Sequence, residues 1–222
     1  MSQLRQIGLV SLALLGARVE SAAQAGIAQR PAMGTWSMSP YIGGGRHSPA
    51  GYNWGTTPDR DHAFVGVHFA TPVLRAGRFT LMYAPNATPF VMISNNPRYK
   101  TVVTRGIPRK AESGRGPVFG AGLAPFGLQG EVRGTKRMDF YSMAALGGAW
   151  FTDYMPQDGA RRFNFSIEFG GGVFLRTNHQ RAVQLGYKFH HFSNMYTARE
   201  NPGVDGHVFY LGLRWQKRLP RE

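Results

Sequence analysis

The chain has 222 residues, with 26 Lys and Arg against 12 Asp and Glu, 29 glycines and no cysteine. The lack of cysteine excludes disulfide scaffolds, thiolate metal sites and thiol enzymes. A hydrophobic content of 42% is too high for a disordered chain, and the glycines follow no three-residue period, which excludes collagen. The net charge of +14 indicates an anionic partner, either a nucleic acid or phosphorylated lipid head groups.

The first 25 residues have the features of an export signal. The basic residue Arg5 precedes a weakly polar to apolar run at 7–17, and residues 23–25 match the A-x-A cleavage pattern. We therefore expect a signal peptide over 1–25 and a mature domain over 26–222. The alternative is a short amphipathic N-terminal helix. Because an exported protein rarely meets nucleic acid, phosphorylated lipid is the favoured anionic partner.

The rest of the chain alternates apolar and polar residues with the period of two that is typical of β-strands. In chain order, weaker alternation predicts strands at about 36–45, 61–71, 78–86, 116–125 and 138–151. Three clearer strands follow. Their apolar faces are Phe163 to Phe169, Leu185 to Phe189 and Phe209 to Trp215, and their polar faces include Arg162, Glu168, Lys188 and Arg214. The pattern predicts an all-β fold of eight strands.

The predicted connections differ in length between the two rims of such a sheet. The links 72–77 and 176–181 are short and fall on one rim, whereas the other rim includes a long loop at about 87–115. The link 126–137 is long for the short-turn rim and fits less well. Outer-membrane barrels have short periplasmic turns and long external loops, and only closed barrels or helices satisfy every backbone group in a bilayer. We therefore predict an eight-stranded antiparallel up-and-down transmembrane β-barrel.

Alternation alone does not decide whether the apolar face points inward or outward. A soluble exported lipid carrier has an apolar interior, whereas a membrane barrel has an apolar exterior and a polar lumen. Three features favour the membrane barrel: the export signal, the aromatic residues Phe169 and Trp215 that end the apolar faces, and full charges on the polar faces. The expected location is the bacterial outer membrane.

Three residues with hydrolytic chemistry share the predicted lipid-facing side near the outer rim. The parity of 185–189 extends to His191 and Ser193, whose Cα atoms are about 6.5 to 7 Å apart in an extended strand. The parity of the last strand includes Asp205. These residue types suit a general base, a nucleophile and an orienting carboxylate. The alternative is that the strand has left the hydrocarbon here and that they are ordinary interfacial groups. His190 has the opposite parity, which predicts packing in the lumen.

The H-F-S-N tetrapeptide at 191–194 is followed by an N-P-G segment at 201–203, an acidic residue and a terminal amphipathic strand. This combination resembles the outer-membrane lipid A 3-O-deacylases of the PagL type, which are acyloxyacyl hydrolases. The close match covers about 183–215, and the other strands agree in pattern, size and order. The resemblance implies an eight-stranded barrel that hydrolyses the ester-linked acyl chain at the 3-position of lipid A. It further implies a Ser-His-Glu triad on the outer surface, without a metal or cofactor.

Carried over by position, the resemblance implies that Ser193 is the nucleophile, His191 the general base and Asp205 the carboxylate that orients it. Asp205 replaces the family's glutamate and is one methylene shorter, so the loop must bring its backbone closer. Tyr196 stands where the family commonly has a glycine that is thought to help the oxyanion site. We therefore expect Asn194 with a backbone N–H to stabilise the oxyanion, and Asn201 to shape the loop. Losing one oxyanion donor typically costs about 2.7 to 4 kcal/mol.

The predicted loop 87–115 is strongly basic, with Glu112 as its acidic residue. Its cationic residues are Arg98, Lys100, Arg105, Arg109, Lys110 and Arg115. Such a cluster suits the phosphates of lipid A, and the alternative is a solvated, mobile loop.

The expected partner is therefore lipid A or lipopolysaccharide of the outer leaflet, bound by a membrane-embedded protein. Nucleic acid, metal and cofactor are not expected, and a homodimer stays open. Two other classes of protein remain as alternatives. One is a non-catalytic small outer-membrane barrel with a structural or adhesion role, and the other is an exported soluble lipid-binding barrel.

Overall fold

A computed structural model describes residues 34–49, 54–177 and 180–218, and the expected signal peptide lies outside the described residues. The strands are β1 (Thr35–Gly45), β2 (His62–Ala76), β3 (Phe79–Tyr83), β4 (Asn86–Thr104), β5 (Ile107–Arg133), β6 (Met138–Met155), β7 (Arg161–Arg176), β8 (Arg181–Ser193) and β9 (Val204–Arg218). Within the described ranges, no helix has the length and apolar character needed to cross a membrane.

The strands form one closed antiparallel sheet. Each pairs with its neighbour in the chain, and β1 pairs with both β2 and β9. Segments β3 and β4 are two halves of one barrel strand, because both pair with β2 on one side and with β5 on the other. The interruption falls at Ala84 and Pro85, where proline cannot donate a ladder hydrogen bond. The ring therefore has eight strand positions, and the predicted eight-stranded barrel is confirmed.

The barrel is apolar outside and polar inside. On β7, Phe163, Phe165 and Phe169 are exposed, whereas Asn164 and Glu168 between them are buried. Strands β8 and β9 alternate in the same way. This is the arrangement of a membrane barrel, and an apolar lipid-carrying interior is the wrong interpretation of the alternation.

Paired charges fill the lumen. Lys188, which has no exposed surface, lies 2.6 Å from the Glu168 carboxylate and donates a second hydrogen bond of 3.1 Å to the Tyr41 hydroxyl. Nearer the rim that carries the short turns, Arg214 lies 2.7 Å from Glu131. Buried charges are stable only when they are paired and hydrogen-bonded in this way, so the lumen acts as a polar core. His190 is buried here and stacks on Phe64, as its parity predicted.

The two rims differ as the sequence indicated. One rim carries the turns at 77–78 and 134–137, which are shorter than the predicted links because the flanking strands extend further. The other rim carries the connections 46–61, 156–160 and 194–203. Outer-membrane barrels place their long connections outside the cell, so this second rim is the outer one.

The segment 87–115, which the sequence predicted as a long loop, is a β-hairpin. Strands β4 and β5 continue past the barrel and pair from Asn96↔Gly116 to Thr104↔Ile107. Arg105 and Gly106 form the connecting turn, and both have a positive φ, as in the two-residue turns that suit twisted hairpins. Beyond the bilayer neither face needs to be apolar, so the alternation that marks the other strands is missing.

Candidate active site

The ends of β8 and β9 bring His191 and Asp205 side by side on the outer surface. The two residues are cross-strand partners in the antiparallel ladder. Side chains of directly opposite residues are about 4.5 to 5.5 Å apart at Cβ, which lets a short aspartate reach the ring. The distance between His191 Nδ1 and Asp205 Oδ1 is 2.6 Å. The β-ladder thus brings the carboxylate backbone close enough, as the shorter side chain requires.

Ser193 is the last residue of β8 and lies two residues beyond His191 on the same side of the strand. Its backbone pairs with Phe165 of β7, whose side chain is exposed on the apolar exterior. Ser193, His191 and Asp205 nevertheless have exposures of only 9, 7 and 3%. Residues that point out of the barrel are buried only if another segment covers them.

The cover comes from the connection between β1 and β2. We call residues Trp54, Gly55 and Thr56 the strap. The Gly55 N–H donates to Asp205 Oδ2 at 2.9 Å, and the Trp54 ring stands edge-on to the His191 ring with centroids 5.3 Å apart. Local patterning did not reveal the strap, because contacts between residues 150 positions apart leave no periodic signal in the sequence.

Asn194 and Asn201 order the connection between β8 and β9. The Asn194 backbone N–H donates to Asn201 Oδ1 at 2.9 Å, and the Asn194 side-chain amide donates to the Glu200 carbonyl at 2.6 Å. The Asn194 carbonyl accepts hydrogen bonds from the backbone N–H and the hydroxyl of Thr197. Loop support by both residues fits these contacts. The oxyanion role expected of Asn194 stays a prediction, because these contacts engage its backbone N–H and only one of its two amide N–H groups.

Tyr196 lies in a tight turn immediately after the serine segment. Met195 and Tyr196 both have positive φ, at 50° and 59°, and the Tyr196 side chain is 82% exposed. A glycine adopts this backbone conformation without strain, which gives a physical reason for the glycine expected here. The tyrosine keeps the turn, and its side chain is exposed rather than packed against the barrel.

The β4–β5 hairpin and the β6–β7 connection enclose an open groove of about 790 Å³. Arg98, Lys100 and Lys110 line it beside Tyr154. Lys110 hydrogen-bonds Asp158 at 2.7 Å, and this contact raises the pKa of the lysine. Three of the six predicted cations therefore line one groove. Arg115 is instead paired with Glu112.

In a chain without cysteine, histidine and acidic side chains are the usual metal ligands. Within residues 34–49, 54–177 and 180–218, no group of three or more such residues could hold an ion. An imidazole held by a carboxylate, as His191 is by Asp205, is an arrangement that is able to transfer protons.

Comparisons with known proteins agree with this geometry. The family model "Lipid A 3-O-deacylase (PagL)" matches residues 107–214. The crystal structure of the outer membrane enzyme PagL superimposes with a TM-score of 0.53 at 14% identity, covering 83% of this chain and 99% of that one. Neisserial surface protein A gives a TM-score of 0.49 at 10% identity, covering 82% of this chain and 96% of that one. The sequence matches no curated protein.

At 14% identity the PagL crystal structure shows the barrel fold alone, and the functional assignment depends on the family model. Its match runs from β5 to Arg214 in β9 and contains His191, Ser193 and Asp205. The resemblance seen in the H-F-S-N and N-P-G segments is thereby confirmed. Residues 107–214 match the lipid A 3-O-deacylase (PagL) family model, and the protein is a β-barrel of the bacterial outer membrane.

Proposed function

We propose that this protein is a serine esterase that removes the ester-linked 3-O acyl chain of lipid A. The observation that carries the proposal is the 2.6 Å contact between His191 Nδ1 and Asp205 Oδ1, next to Ser193 on the outer face of the barrel. Ionisable groups on the lipid face cost stability, by about 2 to 4 kcal/mol for a central cation, so their presence there calls for a function.

The role of His191 depends on which of its two ring nitrogens contacts Asp205. Because Asp205 accepts a hydrogen bond from Nδ1–H of His191, the other nitrogen, Nε2, is the one that can take a proton. His191 removes the Ser193 proton as the serine oxygen attacks the ester carbonyl. Asp205 then stabilises the imidazolium that forms.

Collapse of the tetrahedral intermediate breaks the ester bond. The proton held by His191 passes to the departing 3-hydroxyl of the lipid A sugar, leaving the acyl chain on Ser193. Water, deprotonated by His191, attacks the acyl-serine and releases the fatty acid. The products are one free fatty acid and one deacylated lipid A, and the reaction consumes only water.

We assign oxyanion stabilisation to the second amide N–H of Asn194, since Asn201 holds its backbone N–H and the Glu200 carbonyl holds the first amide N–H. Its partner in this role is a backbone N–H of the turn at Met195 and Tyr196, which follows the serine segment in the chain. Preorganised backbone donors of this kind are the usual oxyanion stabilisers in acyl transfer.

Two features favour lipid A as the substrate among membrane esters. The site lies on the exterior at the outer rim, where lipids of the outer leaflet reach it laterally. The groove beside the β4–β5 hairpin carries Arg98 and Lys100, which can pair with phosphates as charge-assisted hydrogen-bond donors, whereas Lys110 is already paired with Asp158. Lipid A suits both features, because it is a lipid of the outer leaflet and carries acyl esters on a phosphorylated sugar.

The test is deacylation of purified lipid A by the folded barrel in detergent, with heat-modifiable gel mobility as the check on folding. Wild type should release fatty acid and leave lipid A lacking one 3-O chain. Ser193→Ala should lower the rate by at least about 10³-fold. Ser166→Ala, the same change on the lumen side of β7, is the control that should keep full activity. Intact lipid A after incubation with folded wild type would instead indicate a non-catalytic barrel.

A further inference from the structure

We propose that the strap, Trp54 to Thr56, is a positioning element of the catalytic site. In this role the Gly55 N–H fixes the Asp205 carboxylate and the Trp54 ring fixes the His191 imidazole. The inference rests on the proposed esterase function and assigns a part in it to a connection far from the H-F-S-N segment.

The first support is the bonding of the carboxylate. Asp205 is nearly fully buried, and each of its oxygens meets a different donor: Oδ1 faces His191 Nδ1 at 2.6 Å and Oδ2 accepts from Gly55 N–H at 2.9 Å. With donors on both oxygens, the carboxylate cannot turn about its terminal torsion without losing a bond. A buried carboxylate with one oxygen unpaired would also be costly.

The second support is that this approach requires glycine. A Cβ on Gly55 would lie 2.8 Å from the Asp205 backbone nitrogen and from Oδ1, closer than real Cβ contacts. Gly203, with φ of +63°, faces the strap from the other side, and a Cβ there would lie 3.0 Å from His191 Cε1 and 3.2 Å from the Gly55 Cα. Two glycines therefore let three segments meet around the His191–Asp205 pair.

The third support is that hydrogen bonds anchor the chain immediately after Gly55. Thr56 donates from its backbone N–H and from its hydroxyl to the Pro202 carbonyl, at 2.6 and 2.9 Å. Further along, the Ser48 hydroxyl donates to the Thr57 carbonyl at 2.8 Å and accepts from the Arg60 N–H. The Thr56 bonds hold the strap against the β8–β9 connection, and the Ser48 bonds hold the two ends of the β1–β2 connection together, so the Gly55 contact is supported by its neighbours.

Trp54 restrains the imidazole from the outer side. Its ring meets His191 edge-on at an interplanar angle of 81°, and it also contacts Phe189 and Phe169, with centroid distances of 6.0 and 6.3 Å. Such aromatic contacts favour one ring orientation. Asp205 and Trp54 both contact the His191 ring, so the ring can rotate only if one of these contacts is lost.

The main variant is Gly55→Ala, which pushes the strap away from Asp205. We expect kcat for lipid A to fall about 10- to 100-fold, the effect of losing one hydrogen bond to a charged group, while KM changes by less than about twofold. Gly77→Ala is the control, because Gly77 lies at the opposite rim, where an added Cβ would meet no atom within 4 Å, and its φ of +53° adds backbone strain without any contact with the site. It should keep wild-type kcat.

Trp54→Ala and Thr56→Val test the strap without a backbone clash, should Gly55→Ala fail to fold. Both should lower kcat, and Trp54→Phe, which retains an aromatic ring, should restore much of the loss at residue 54. A second readout is independent of substrate: the NMR signal of the His191 Nδ1 proton, far downfield in wild type, should move or broaden in Gly55→Ala and stay in place in Gly77→Ala.

The outcomes separate the two proposals. Active wild type with unchanged kcat and an unchanged proton signal in Gly55→Ala would overturn the positioning role and leave the esterase intact. Wild type that neither deacylates lipid A nor reacts at Ser193 with an alkyl fluorophosphonate would overturn the esterase. In that case the Nδ1 proton signal alone decides whether the strap orders the His191–Asp205 pair.

Discussion

Replacing Asp205 by asparagine should disable the site through the tautomer of His191 rather than through unfolding. The wild-type carboxylate accepts two hydrogen bonds, from His191 Nδ1 at 2.6 Å and from the Gly55 N–H at 2.9 Å. An asparagine amide offers one oxygen and one NH₂ group. Because Gly55 can only donate, the oxygen must face Gly55 and the NH₂ must face His191.

A donor facing Nδ1 forces the ring to carry its proton on Nε2, the nitrogen that has to accept the Ser193 proton. We expect kcat to fall about 10³- to 10⁴-fold, which corresponds to about 4 to 5.5 kcal/mol of lost transition-state stabilisation. Stability should change little, since the side chains are of equal size and Gly55 keeps its acceptor. Steady-state kinetics on lipid A and ¹⁵N NMR of the His191 ring are the assays. A kcat within tenfold of wild type, or a ring still protonated at Nδ1, would refute this reasoning.

Three further predictions concern the loop, the lumen and the groove. Tyr196→Gly should raise the thermal unfolding midpoint, because it relieves about 1 kcal/mol of strain at a φ of 59°; a lowered midpoint would contradict this. Lys188→Met leaves the buried Glu168 carboxylate unpaired and should destabilise the barrel by about 3 to 5 kcal/mol in denaturant unfolding, while adding Glu168→Gln should recover most of the loss. Neutralising Arg98 and Lys100 together should raise KM for phosphorylated lipid A and leave KM for dephosphorylated lipid A unchanged; equal effects on both would exclude phosphate recognition in the groove.

The barrel was predictable where one face of a strand meets lipid and the other meets the lumen. Phe163 to Phe169 and Phe209 to Trp215 alternate because lipid and lumen impose opposite polarity on successive residues. The same constraint placed His191, Ser193 and Asp205 on one face before any contact was known. This constraint is absent beyond the membrane, so the sequence pattern predicts a loop where β4 and β5 form a hairpin.

The finer features of the site depend on contacts that leave no local pattern. Residue type indicated that Asn194 could donate to an oxyanion, but only the fold shows that its backbone N–H is held by Asn201. The contact of Gly55 with Asp205 joins residues 150 positions apart, through a connection whose sequence has no periodicity. A glycine beside a tryptophan in such a connection is a weak signal on its own. The need for glycine at residue 55 is evident only in the structure, where an added Cβ would clash with Asp205.

The central claim is that Ser193 removes an acyl chain from lipid A at the outer face of this barrel. The most direct measurement is the mass of lipid A extracted from the outer membranes of cells that express either wild type or Ser193→Ala at equal, folded levels. The account predicts a species lighter by one 3-O acyl chain with wild type and its absence with Ser193→Ala. Identical lipid A masses from the two strains would contradict it.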